Sequence, residues 1–178
     1  MNKHKFTVLM VAGLLGASAN AKAPDAPDSE AVNKLLSEAK TMAFQLKEDA
    51  AAMEGFTRMD VSWESHAVAI NQIKEHVNAL GRQQVKLLDA KDTASAWQRT
   101  AINRIQPFLD ELEGYTSAVI ERINAQPKRL FTPEYKDYLE ANADYSADLA
   151  AMIAQFVDYG KTKERLMNLT DDLELPVR

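Results

Sequence analysis

The stretch TPEYKDYLEANADYSADLAAMIAQFVDYGKTKERL, residues 132–166, decides the fold class of this chain. It opens with Thr132, Pro133 and Glu134, which together favour a helix start: a capping hydroxyl, a proline in the first turn and an acid near the positive end of the helix dipole. Mostly apolar side chains then recur at alternating spacings of three and four residues, the period of an amphipathic helix. The stripe comprises Tyr135, Tyr138, Asn142, Tyr145, Leu149, Met152, Phe156, Tyr159, Lys163 and Leu166.

Three further segments show the same helical period, and no stretch of useful length alternates like a strand. Short connections between long amphipathic helices favour packing of each helix antiparallel to the next. Single polar residues on otherwise apolar stripes are expected to fix the helix register; they are Gln84, Asn142 and Lys163. The first helix is predicted from the cap Ser29 to just before Gly55, the second from a cap at Asp60 or Ser62 to about Ala90, and the third from the cap Asp92 to the break at Pro127.

The predicted fold is all-α, an elongated antiparallel up-down-up-down four-helix bundle. The alternative is a three-helix spectrin-like rod with a loosely docked first helix. At about 1.5 Å per residue the third and fourth helices are longer than the first two. We expect their surplus to project where the loop at residues 55–61 meets the turn at residues 126–132. Gly160 is expected to loosen the last turns of the fourth helix.

The N-terminal segment carries the pattern of a secretory signal peptide. Lys3 and Lys5 precede an apolar run and then the small-residue sequence that ends at Ala21, after which cleavage is predicted; a cut after Ala23 is the alternative. Residues 22–28 are predicted to be a disordered Pro-rich leader, residues 29–170 a single helical-bundle domain and residues 171–178 a C-terminal tail. These features predict export, to the periplasm of a bacterium or otherwise as a secreted protein.

The composition excludes several functional classes. The chain has no Cys, so it has no disulfide, thiolate nucleophile or iron–sulfur cluster. Its formal net charge of −5 and the absence of a Lys and Arg cluster argue against nucleic-acid binding. Beyond the signal peptide no apolar run is long enough to cross a membrane, so no transmembrane segment is expected in the mature chain.

The histidines decide whether the bundle could hold a metal or haem. His66 and His76 lie on one helix, about 15 Å apart along its axis and rotated by about 280°, so they cannot ligate one iron together. The Glu-x-x-His motif of di-iron bundles is absent. We expect no cofactor, metal site or enzymatic activity. A carrier of haem, held by one His and one Met, or of a small apolar ligand is the alternative function.

One end of the bundle collects large apolar side chains. Phe56, Met59, Trp63, Leu130, Phe131, Tyr135 and Tyr138 are expected to lie near the projecting end. They could form an apolar crevice with hydroxyl groups at its rim for a protein partner or for self-association, or they could merely cap the core. His66 is expected to be a polar core residue, and a pH-sensitive role is the less favoured interpretation. The predicted function is therefore protein binding or assembly, as a structural, adaptor or chaperone-like protein.

Overall fold

The computed structural model describes residues 26–174. The predicted signal peptide lies outside this range, as do residues 22–25 of the leader and 175–178 of the tail. The described residues form four α-helices and no strand. Single turns of 3-10 helix, Phe56–Arg58 and Lys91–Thr93, follow the first two helices. The helices are α1 (Glu30–Gly55), α2 (Trp63–Asp89), α3 (Ala96–Ala125) and α4 (Pro133–Asp172).

Most of the predicted helix starts are confirmed. The Ser29 hydroxyl accepts the Val32 N–H at 3.5 Å, and the Ser62 hydroxyl accepts the Ser65 N–H at 3.3 Å. Thr132 and Pro133 begin α4 as the sequence predicts. The start of α3 differs from its prediction.

The N-cap of α3 is Ser95, and the prediction of Asp92 is wrong. Asp92 lies in the single 3-10 turn between α2 and α3. Gln98 stands three residues after Ser95, so its side chain can return to the cap, and its Oε1 accepts the Ser95 backbone N–H at 2.9 Å.

The helices pack as an antiparallel four-helix bundle. α1 and α3 each pack against both α2 and α4. Asp49 contacts His76 while residue 38 contacts residue 83, so α2 runs opposite to α1. Lys40 contacts Asp158 while residue 28 contacts residue 163, so α4 does the same. The three-helix rod is wrong, because α1 buries a full face against its neighbours: Val32, Leu36, Ala39, Ala43, Leu46, Ala50 and Met53. None of the described helices is both long and apolar enough to cross a membrane.

The buried face of α4 departs from the predicted stripe. Tyr159 and Leu166 are exposed, and Tyr145 and Phe156 are only half-buried. Small side chains turned towards the core let α4 approach its neighbours closely, while these four side chains lie at the edges of the interface or outside it. The residues buried along α4 are Tyr135, Leu139, Asn142, Ser146, Leu149, Ala150, Met152, Ile153, Val157 and Gly160.

Two of the three predicted polar register residues are buried. The Gln84 amide donates to the carbonyl oxygen of Ile102 at 2.9 Å, and Asn142 accepts the Thr116 hydroxyl at 3.0 Å. Lys163 is instead half-exposed and forms an ion pair with Asp28 at 2.8 Å. The buried amides link neighbouring helices, which is the arrangement expected of residues that fix register.

Gln98 links the two helices that lie diagonally across the bundle. Its Oε1 accepts the backbone N–H groups of Ser29 and Ser95 at 3.0 and 2.9 Å. Its Nε2 donates to the Ser29 carbonyl at 2.9 Å and to Oδ1 of Asn33 at 2.8 Å. These four bonds saturate the amide of a fully buried residue, so the start of α1 is held at a fixed position relative to the start of α3.

Asp28 is held against the bundle, although the sequence assigns it to the disordered leader. Its Oδ1 accepts the indole N–H of Trp97 and the Lys163 ammonium, both at 2.8 Å. Burial raises the pKa of the Asp28 carboxyl, but the hydrogen bonds, first that of Lys163, outweigh it and hold the pKa below its usual value. The described part of the leader therefore ends in a fixed contact.

The surplus length of α4 lies at the end opposite to the predicted one. α4 has 40 residues against 30 in α3, yet its start is level with the start of α2, since Tyr135 contacts His66. Its far end passes Asp28, which is level with Lys163. Residues 164–169 are all exposed. The prediction that α4 projects beside residues 55–61 is therefore wrong. The connection after α3 ends level with the start of α2, so the extra length of α4 lies at its C-terminal end.

Gly160 does not loosen α4; it makes room for Trp97. A Cβ atom at Gly160 would lie 2.8 and 3.0 Å from two atoms of the Trp97 indole. The indole cannot move away freely, because its N–H is bonded to Asp28. The glycine therefore permits the close approach of α3 and α4 at this level.

Gly160→Ala should destabilise the protein. The methyl group overlaps the Trp97 ring, and overpacking of this kind costs about 1–3 kcal/mol. Gly81→Ala is the matched control, because nothing lies within 4 Å of a Cβ atom there. It should instead stabilise α2, by about 0.5–1 kcal/mol. Urea unfolding followed by circular dichroism measures both. Equal stabilisation by the two substitutions would contradict the close packing.

Candidate functional site

A crevice opens where the connection after α1 meets the connection after α3. Its volume is about 250 Å³. Six of the eight residues singled out from the sequence line it, and we call this feature the end crevice. Its lining residues are Phe56, Thr57, Met59, Asp60, Val61, Trp63, His66, Pro127, Lys128, Leu130, Phe131 and Lys136.

The apolar residues of the end crevice fall into two groups. Phe56 and Leu130 are half-buried and pack against the core, as residues that cap a bundle would. Met59, Trp63 and Phe131 are between 45% and 70% exposed. Capping the core explains the first group only. These three large apolar side chains remain exposed around one cavity.

Tyr135 and Tyr138 do not lie at the rim, where the sequence placed them. Tyr135 is fully buried and its hydroxyl is 2.8 Å from Nδ1 of His66. Tyr138 lies one turn further along α4 and lines a separate groove with Arg122. The Tyr138 hydroxyl donates to Glu134 at 3.1 Å. The structure therefore brings Tyr135 beneath the end crevice and leaves Tyr138 out of it.

His66 connects the core to the end crevice. Its ring packs edge-on against Phe56, with centroids 5.2 Å apart, and it is buried apart from the edge that lines the cavity. The Tyr135 hydroxyl has no other partner among residues 26–174, so we assign it as the donor to Nδ1. Nε2 then carries the proton of the neutral ring.

The protonation of His66 follows from its burial. Removal from water disfavours the imidazolium and lowers the pKa of His66 below its ordinary value. Burial also raises the pKa of the Tyr135 phenol. The pair is therefore neutral around neutral pH, with a hydroxyl donor facing an imidazole acceptor.

Two cations at the end crevice were not anticipated from the sequence. Lys128 and Lys136 both line it, with Asp60 as the acid among the lining residues. Lys128 shortly precedes the apolar pair at residues 130–131, and Lys136 directly follows Tyr135. Their position next to predicted crevice residues was the one feature of the sequence that could have identified them. The crevice thus joins an apolar surface to a local excess of positive charge on a chain whose net charge is negative.

Both histidines of the described residues have a polar partner. Nε2 of His76 is 2.9 Å from a carboxylate oxygen of Asp49, and Nδ1 of His66 is occupied by Tyr135. Within residues 26–174, no group of three or more His, Asp or Glu side chains is arranged to hold a metal ion.

Comparisons of the chain with protein-family models, with curated protein sequences and with solved structures found no match. The assignment of a role to the end crevice therefore depends on its own geometry and chemistry.

The stability of the protein should decrease as the pH falls below about 6.5, the ordinary pKa of histidine. The folded-state pKa of His66 is lowered, so the unfolded chain binds the proton first, and stability rises with pH through this window. His66→Gln removes the titrating group and keeps a side chain that can accept from Tyr135. We expect this variant to lose less stability than the wild type between about pH 7 and pH 5.

Urea unfolding at a series of pH values measures this difference. His76→Gln is the control, because His76 lies on the same helix but pairs with Asp49 outside the end crevice. The difference between the two variants isolates the contribution of His66, because each variant keeps the other histidine. Parallel pH profiles for the wild type and His66→Gln would show that His66 is not held neutral in the core.

Proposed function

We propose that this chain is an exported, non-enzymatic helical-bundle protein that binds a protein partner through the end crevice. The observation that carries the proposal is the exposure of Met59, Trp63 and Phe131 around one cavity. Burying large apolar side chains is the main source of affinity at protein interfaces, and aromatic residues dominate it. A structural, adaptor or chaperone-like role would use such a surface.

The frame beneath the end crevice is suited to binding. Two helix starts form its base, and the hydrogen bond between His66 and Tyr135 joins them at 2.8 Å. The Phe56 ring packs on the other side of His66. Because the floor is packed and hydrogen-bonded before a partner arrives, less conformational entropy is lost on binding.

The charge at the end crevice indicates what the partner presents. Lys128 and Lys136 flank the apolar surface, so an acidic group next to an apolar anchor is the complementary arrangement. Apolar contacts would supply affinity, and the lysines would speed association and select acidic partners. The proposed partner is therefore a protein segment with apolar side chains beside Asp or Glu.

Export is part of the proposal and is supported by the sequence of residues 1–21. A basic start, an apolar run and a small-residue cleavage pattern are the signals that direct a chain across a membrane. The lack of Cys is compatible with an oxidising compartment, because the bundle is stabilised by packing and buried hydrogen bonds instead of disulfides.

Phe131→Ser combined with Met59→Ser should abolish partner capture while leaving the bundle folded. Both side chains are exposed, so their loss removes binding surface without opening a core cavity. Tagged full-length chain is incubated with a detergent-solubilised envelope fraction, and captured proteins are quantified by mass spectrometry. Proteins bound by the wild type should fall at least about tenfold with the double variant, as expected for the loss of about 1.4 kcal/mol or more.

Val85→Ser is the control for this experiment, because Val85 is an exposed apolar residue of α2 at the opposite end of the bundle. It should capture the same proteins as the wild type. Lys128→Glu with Lys136→Glu separates charge from apolar contact, and it should weaken capture most at low salt. Capture that is identical for the wild type and the Phe131→Ser, Met59→Ser variant would exclude the end crevice as the binding surface.

A further inference from the structure

The C-terminal turns of α4 present an apolar stripe to solvent, which begins within the bundle and continues past it. Tyr159, Leu166, Leu169 and Leu173 are between 48% and 65% exposed. With Thr162 they recur at alternating spacings of three and four residues, so the first four lie on one face of the helix and Leu173 follows directly after its last turn. We call this face the α4 stripe. It lies at the end opposite to the end crevice.

Tyr159 packs edge-on against Trp97, with ring centroids 5.4 Å apart, but the fold of one chain does not account for the leucines of the α4 stripe. No side chain is buried among residues 164–174, so the other helices give this segment no apolar cover. An isolated helical segment of this length is marginal in water. Its leucines follow the spacing of a coiled-coil seam, which is stable when a second helix covers it.

Charges along the segment identify that second helix. Lys161, Lys163 and Arg165 outnumber Glu164 in its first half, while Asp171, Asp172 and Glu174 lie in its last part without a basic residue. Two copies aligned in the same direction would bring like charges together. Two copies aligned in opposite directions would bring the basic half of each to the acidic half of the other.

We infer that two copies of this chain pair antiparallel through the α4 stripe. In this register Leu166 packs opposite Leu169 of the partner subunit, and Thr162 opposite Leu173 of the partner subunit. The same register places Arg165 beside Asp172 of the partner subunit. The two-fold axis repeats this ion pair, so the dimer contains it twice. Lys163 is already paired with Asp28 of its own chain and is not needed for the contact.

This pairing extends the proposed function without depending on it. Because each α4 leaves its bundle at the end opposite to the end crevice, an antiparallel pair directs the two crevices to the far ends of one rod. A dimer of this kind would present two partner-binding sites at once, and linked sites raise the overall strength of binding. The stripe is short, so we expect a weak dimer with a dissociation constant in the micromolar range or above.

The oligomeric state of the full chain tests the inference. Sedimentation velocity over a concentration series of about 1 μM to 1 mM should show the wild type shifting from the monomer towards twice its mass. Leu166→Ser with Leu169→Ser should remain monomeric throughout. Leu88→Ser should behave as the wild type, because Leu88 is an exposed leucine of α2 outside the α4 stripe.

A charge exchange tests the antiparallel register. Arg165→Asp alone should weaken the dimer at least about tenfold, and the same chain carrying Arg165→Asp and Asp172→Arg should recover it, because the pair is restored in the opposite sense. A wild type that stays monomeric at every concentration, as it would if the stripe bound only a different protein, overturns the inference. So does dimerisation that survives loss of the two leucines, or an exchange that fails to restore pairing.

Discussion

The register of α4 is the constraint on which both ends of this protein depend. The hydrogen bond between His66 and Tyr135 places the start of α4 level with the start of α2. Because α4 has 40 residues and α1 has 26, this alignment leaves its extra turns at the opposite end. The same alignment thus forms the floor of the end crevice and leaves the helix to project at the other end. A shift of a few residues along α4 would disrupt the crevice floor and bury or expose different leucines.

The opposite end is fixed by polar contacts around the start of α1. Three hydrogen bonds of the Gln98 amide reach the start of α1 and the fourth caps α3, while Asp28 holds Trp97 and Lys163. Buried polar groups cost free energy unless every donor and acceptor is satisfied, so arrangements that slide the helices are disfavoured. These contacts select one register from the several that a purely apolar seam would permit.

The presence of four helices and their order along the chain could be predicted, because helix caps and the spacing of apolar residues are local properties of the sequence. Ser29, Ser62 and Thr132 precede their helices, and the helical period was present in each of the segments that form a helix. Six residues of the end crevice could also be named, since consecutive antiparallel helices bring their connections together at alternating ends.

The remaining errors concern choices that depend on neighbouring helices. The side of α4 that faces the core carries Ser146, Ala150 and Gly160, because small residues allow neighbouring helices to approach closely. The spacing of apolar residues alone favoured Tyr145 and Phe156 at this interface. The position of the overhang depends on the connection between α3 and α4, which helix lengths do not specify. Gln98 was missed because a glutamine near a helix start has no distinctive spacing until its four partners are seen.

The two ends of the bundle are therefore different in kind: one is a packed apolar crevice with cations at its rim, and the other is a bare helix with a leucine face. Hydrogen–deuterium exchange of the full chain, measured at a concentration low enough for the monomer, tests the register of α4 that underlies this contrast. Backbone amides from about residue 136 to residue 160 should exchange slowly, and those of residues 164–172 quickly. Protection of residues 164–172 in the monomer, together with rapid exchange around Tyr135 and Leu139, would contradict the register.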